Sequence, residues 1–217
     1  MATQFIRLFP LQSVVLFPGM ELSLTAFEPR YLQLARECVE SSEPFGVLLL
    51  RQGREAGDPD AEPHDVGTFA RIDNLATLGD GRLSVRATGE GRFRVAAFSR
   101  KLPYLSAEVE LIEELGEGDV DSALIERTSE RAGNVVRALM SRRGGWLRDV
   151  PMPDEPVALS YAVAQMFQGD PATQQHLLEL PTITERLERE FALLSDVLDQ
   201  VTSAPRRDTN QRGFSPN

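Results

Sequence analysis

The spacing of the apolar residues in this chain changes near position 115. Before it, short runs of Val, Leu, Ile and Phe are punctuated by Pro and Gly; after it, apolar residues return every three or four positions. A period of two fits a pleated strand and a period of 3.6 fits one face of a helix. The expected fold is therefore α+β, strands first and helices second.

In the first part, residues 5–9, 13–17 and 21–25 read as strands, and in the third Leu22 and Leu24 alternate with Glu21, Ser23 and Thr25. Residues 28–41 break the rhythm. Pro29 suits a first helical position, and Tyr31, Leu34, Ala35, Cys38 and Val39 recur at helical steps, so one helix is embedded among the strands. The continuous apolar run 45–50 predicts a strand covered on both faces. Residues 52–65 carry Gly, Pro, Asp and Glu without periodicity and predict a surface loop. Segments 66–78 and 82–88 flank Gly79-Asp80-Gly81, where Asp-Gly supplies the backbone angles of a tight hairpin. With strands at 92–98 and 105–112 the total is roughly six or seven, which suits a closed or nearly closed barrel better than an open sheet with bare edges.

From Asp119 onward, Leu124, Thr128, Ala132, Val135, Val136 and Leu139 share a helical face that ends at Gly144-Gly145. A more apolar helix spans 157–167. Asp170-Pro171 opens a short third helix to Leu180. Thr182 and Glu185 form a capping box ahead of Ile183, Leu187, Phe191, Leu194, Leu198 and Val201, the longest helix of this half. The parts divide as 1–115 for the barrel and 119–202 for the helical bundle, with a polar tail at 203–217 expected to be disordered.

Composition narrows the function classes. At 217 residues with 41% hydrophobic and 26% charged residues, the chain has the ordinary globular mixture and needs no disulfide or metal staple. A net charge of −10 repels phosphate-rich partners at long range, which argues against nucleic acid and anionic membranes. A lone Cys38 allows no intrachain disulfide and points to the reducing cytoplasm. The apolar opening is interrupted by Arg7, Pro10, Gln12 and Pro18, so it reads as strands and not as a signal or spanning segment.

Catalytic signatures are missing. The sequence has no HExxH, CxxC, GxSxG, GxGxxG or GxxxxGK[ST] word, which leaves no expected catalytic residue, metal site or cofactor site. His64 and His176 lie in different halves and read as an exposed loop histidine and a helix-surface histidine. Cys38 shares the stripe of Tyr31 and Leu34, so burial as a small apolar residue is expected. Glu108 and Glu110 fall on one strand face, the wet side of the sheet, near Glu113 and Glu114.

Particular words of the sequence add a resemblance. Phe9-Pro10-Leu11, Val14-Val15-Leu16-Phe17-Pro18-Gly19-Met20 and Phe27-Glu28-Pro29-Arg30-Tyr31 resemble the opening of the N-terminal substrate-binding domain of Lon, the ATP-dependent protease. Val66-Gly67-Thr68-Phe69-Ala70-Arg71-Ile72 and Thr88-Gly89-Glu90-Gly91-Arg92-Phe93-Arg94-Val95 are similar to its "VGT" and "RFRV" strands. Leu159-Ser160-Tyr161, Gln174 to Glu179 and Arg186-Leu187 resemble stations of its helical part.

The resemblance implies a small PUA-like β-barrel followed by a helical bundle, standing without the family's ATPase and protease modules. It implies a non-catalytic module that binds apolar or unfolded polypeptide clients, working beside a protease or chaperone system, with room for weak homo-oligomerisation. Phe17, Met20, Phe27, Arg30, Tyr31 and Trp146 are the candidate contacts. Packing inside the fold is the plainer role for Phe17, Met20, Phe27 and Tyr31, and ion pairing for Arg30 and Arg92. Trp146, after Gly144-Gly145, reads equally as an exposed anchor or as a plug between barrel and bundle. The rival reading is an RNA-binding barrel that gathers Arg82, Arg86, Arg92 and Arg94 into one basic stripe.

Overall fold

The computed structural model describes residues 3–52 and 61–203. Its strands pair in a circuit. β1 (Gln4–Leu11) runs parallel to β3 (Phe45–Gln52) on one side and antiparallel to β7 (Ser106–Ile112) on the other. β7 continues to β6 (Leu83–Ser99), β6 to β5 (Val66–Thr77), and β5 returns to β3. No strand of this circuit is terminal, which removes the bare backbone edge that an open sheet would leave. β2 (Glu21–Ala26) lies along the first part of β6, and the short β4 (Glu62–Pro63) pairs with β3 inside the expected loop, whose residues 53–60 lie outside those described.

The apolar alternation explains how two cores share these strands. Phe9, Phe45, Val47, Ala70 and Val85 pack under α1 (Pro29–Ser41), which presents Tyr31, Leu34, Ala35 and Cys38. The neighbouring positions Leu8, Leu48, Phe69, Phe93 and Val109 point to the opposite face and pack together, with the Phe69 and Phe93 rings 4.9 Å apart. The run at 45–50 is buried throughout for that reason. Cys38 is 2% exposed, and burial pushes its thiol up to about 11, so it is a packing residue.

Two strand expectations change. Residues 13–17 form no strand; Val15, Leu16 and Phe17 are buried as an irregular segment, held where the Thr68 hydroxyl donates to the Leu16 carbonyl at 2.6 Å. Segments 82–88 and 92–98 are one strand, β6, whose register against β5 shifts between Gly89 and Arg92, and Gly89 marks a close approach. A Cβ there would stand 2.3 Å from the Phe17 carbonyl oxygen. Pro18-Gly19 does turn, with Gly19 at φ +77° and the Met20 amide bonded back to Phe17. The Asp-Gly hairpin joins β5 to β6 as expected, with Gly81 at φ +85°.

The helical half comprises α2 (Ser122–Arg142), α3 (Pro156–Ala164) with a 3-10 turn at Gln165–Phe167, α4 (Pro171–Glu179) and α5 (Ile183–Ser203). Their starts are chemically marked. The Asp121 carboxylate accepts from the Ala123 amide, Asp170 from the Thr173 amide, and the Thr182 hydroxyl oxygen from the Glu185 amide. α2 and α5 lie side by side and run the same way, because Arg131 donates to Ser195 and Arg142 to the Val201 carbonyl. Of the expected tail, Ser203 closes α5 and 204–217 lie outside the described residues.

Candidate functional site

The two halves meet along an apolar seam. Val15, Phe17, Leu49 and Val66 pack against Tyr161 and Ala164 of α3 and against Leu177 and Leu178 of α4, with the Phe17 and Tyr161 rings 6.1 Å apart. Within this seam lies a charged network. Arg92 on β6 donates through Nε to Glu114 at 2.7 Å, and through Nη1 to the carbonyls of Leu178 and Leu180. Arg186 on α5 donates through Nη2 to the other Glu114 oxygen at 2.8 Å and through Nε to the Ser160 hydroxyl. Tyr161 donates to Glu114 and lies under the Arg186 guanidinium.

Both guanidinium side chains are fully buried, and removing such charges from water costs several kcal/mol each. A carboxylate shared between them, with backbone carbonyls along the fork of Arg92, offsets that cost. Burial alone would raise the Glu114 carboxyl, but the Arg186 charge, the Tyr161 hydroxyl and the Arg92 charge together hold it below the usual range. Burial pushes the Tyr161 hydroxyl up, and the Glu190 carboxyl is pushed well up, against the opposing pull of Arg186 and Ser160. The Ser160 hydroxyl donates to Glu190 at 3.1 Å. This network fixes how the barrel sits on the bundle.

Next to the network an open groove of about 560 Å³ runs between the end of β7 and the turn joining α4 to α5. That volume is within the ~300–1,000 Å³ typical of ligand sites. Leu111 and Leu115, 57% and 54% exposed, form its apolar wall with Ile112 and Pro181. Glu110, Glu113 and Glu179 stand around it, with Arg94 as the exposed cation. Leu115 is held in place by a bridge to Thr182 and by the Ile183 amide bonded to its carbonyl. The groove offers apolar contact and a mostly acidic rim. Among the described residues no group of three His, Cys, Asp or Glu side chains could hold a metal.

The candidate contacts named from the sequence do not converge. Phe17 is fully buried in the seam and Tyr31 is stacked on Phe9 at 4.0 Å, so both pack the interior. Met20 is half-buried between the seam and the α1 core. Phe27, against the expectation of packing, is 64% exposed in the short link between β2 and α1. Arg30 pairs with Glu28 at 2.9 Å and, with Tyr31, borders a separate recess of about 190 Å³. Trp146, 81% exposed, is no plug between barrel and bundle. His176 is exposed as expected; His64 is not, since its ring sits 3.0 Å from Glu179 and ties the β4 loop to α4.

The Arg stripe of the RNA reading does not assemble. Arg92 is buried on Glu114, and Arg82 is bonded to Asp80. Arg92 is ion-paired as expected, on Glu114; what the sequence did not show is that Arg186 and Glu190 are buried in the same seam. In α5 the buried face carries Ile183, Arg186, Leu187, Glu190 and Leu194, whereas Phe191 lies between Arg127 and Arg131 at its border. An Arg and a Glu four residues apart inside an apolar stripe was the available signal.

Comparison with known proteins gives one consistent result. The family model described as the ATP-dependent protease La (LON) substrate-binding domain matches residues 6–196. A Lon protease of Methylocella silvestris is 30% identical over 194 residues, 88% of this chain and 24% of that protein. A Lon protease of Phenylobacterium zucineum is 28% identical over 204 residues, 26% of its length. The chain thus spans about a quarter of these relatives. Among solved structures, the Lon N-terminal domain protein from Xanthomonas campestris superposes with a TM-score of 0.67 at 27% identity, covering 87% of this chain and 98% of that one. The N-terminal domain of the Mycobacterium avium complex Lon protease shares the fold, with a TM-score of 0.61 at 20% identity.

Proposed function

Since this chain belongs to the ATP-dependent protease La (LON) substrate-binding domain family, we propose that it is a non-catalytic recognition module whose groove at the barrel–bundle junction takes apolar segments of unfolded polypeptides. The observation that carries this reading is the exposed pair Leu111 and Leu115 on the wall of an open groove, supported from behind by a rigid ion network. Burying such side chains against a client stabilises the complex by roughly 25 cal/mol per Å² of apolar surface, less the cost of ordering the client. Weak, sequence-tolerant binding is expected. A partnership with a protease or chaperone system and action in the cytoplasm belong to the same proposal.

The test is photo-crosslinking and calorimetric titration with unfolded proteins and apolar peptides. Crosslinks should map to residues 110–115 and 179–181, and replacing Leu111 and Leu115 together by Ser should weaken binding about tenfold, or 1.4 kcal/mol. Absence of binding at high micromolar peptide, or binding indifferent to that replacement, would end this reading.

A further inference from the structure

The groove leaves one prominent surface unused, at the other end of the helical half. α2 finishes at Arg142, and Arg143, Gly144, Gly145, Trp146, Leu147 and Arg148 follow in a loop turned by Gly144 at φ +79°. Trp146 and Leu147 are exposed side by side, with the three arginines around them and Asp149 as the adjacent carboxylate. On a chain of net charge −10 this is a local concentration of positive charge about an apolar anchor. Trp and Arg are the residue types that dominate protein–protein hot spots. The groove is largely its complement: an apolar wall rimmed by Glu110, Glu113 and Glu179, the last also bonded to His64 and Gln175, with Arg94 as the exposed cation among its lining residues.

We propose that the Trp146 loop of one copy of this chain docks in the groove of a second copy, so that the protein associates head to tail. Geometry excludes the intramolecular version. The Arg142 bond to the Val201 carbonyl places the loop at the C-terminal end of α5, while the bridge from Leu115 to Thr182 places the groove at its N-terminal end. The 21 residues of α5 separate them by about 30 Å at 1.5 Å per residue. Loop and groove are different surfaces, so the contact is heterologous and joins copies in a row or a ring instead of a two-fold pair. Trp146 and Leu147 cover Leu111 and Leu115, while Arg143 and Arg148 meet Glu110 and Glu113.

This inference rests on the groove being a polypeptide site, and it adds a regulatory consequence: a client must displace the neighbouring copy's loop. Sedimentation equilibrium of the full chain, from micromolar to millimolar concentration, tests it. Mass should rise with concentration and fall with added salt, since the charge pairs at the rim are screened. Trp146→Ala and Leu111→Asp, both at exposed positions, should each weaken self-association at least tenfold while keeping the native circular dichroism. Mixed in equal amounts they should form a 1:1 heterodimer, because each retains the half the other lacks. A constant monomer mass, association that survives Trp146→Ala, or a mixture that stays monomeric overturns the proposal. Client crosslinking on Trp146→Ala separates the two readings: if clients still mark the groove while wild-type copies do not associate, self-docking alone is wrong.

Discussion

Glu190 is a carboxyl placed where water cannot reach, on the α5 face that packs against Ser160. Burial raises its folded pKa well above that of a free carboxyl. Between those two values the folded chain holds a proton that the unfolded chain has released, so unfolding free energy falls as pH climbs through that window. The steepest contribution of one such proton is about 1.4 kcal/mol per pH unit. Glu190→Gln keeps the shape and removes the titration. Its melting temperature should therefore decline less than wild type between mildly acidic and alkaline pH, with the stabilisation largest on the alkaline side. Parallel pH profiles for the two proteins would refute this. The neighbouring Arg186 was legible only as part of a family word, and its burial on Glu114 was not, because a charged residue in sequence looks the same whether it faces water or a buried partner.

Among the elements, β6 shows how one missing side chain shapes the fold. It runs for 17 residues with a shift of register against β5 between Gly89 and Arg92, and Gly89 lets the Phe17 carbonyl approach, with the Gly89 amide bonded to Met20 and its carbonyl accepting from Gly19. Any Cβ at 2.3 Å from that oxygen must push backbone apart, since no flexible side chain is there to yield. Gly89→Ala should cost about 3 kcal/mol in chemical denaturation, whereas Gly79→Ala, with nothing within 4 Å, should stay within about 0.5 kcal/mol. Equal costs would contradict this account of the strand. The Asp-Gly hairpin and the helix starts at Asp121, Asp170 and Thr182 were readable because their donors and acceptors lie within a few residues. The failure of 13–17 to form a strand was not readable: whether an apolar run joins a ladder depends on Thr68 and Gly89, distant in sequence.

For the whole molecule, the seam decides whether barrel and bundle behave as one body. Glu114 is a carboxylate shared by two fully buried guanidiniums, one from each half, and Phe17 meets Tyr161 beside it. Wild type should unfold in one transition reported alike by far-ultraviolet dichroism and by hydrogen exchange in both halves. Glu114→Gln leaves both cations without their counter-charge and should lower stability by about 3 kcal/mol or more, separating the transitions of the two halves. Glu43→Gln, at an exposed ion pair whose Arg7 keeps Glu37, should leave the single transition intact. A Glu114→Gln protein as stable and as cooperative as wild type would show that the seam is held by apolar contact alone. The change from strand to helix, the helix within the sheet, the hairpin, the caps and the family could all be read along the chain, because each depends on near neighbours in it. Closure of the sheet through β1 and β3, the sharing of Glu114 by Arg92 and Arg186, and the exposure of Leu111 and Leu115 beside buried Phe17 and Tyr31 arise only in the folded packing. These follow from burial and from pairing across long separations, and burial belongs to a folded surface, not to any residue's own chemistry.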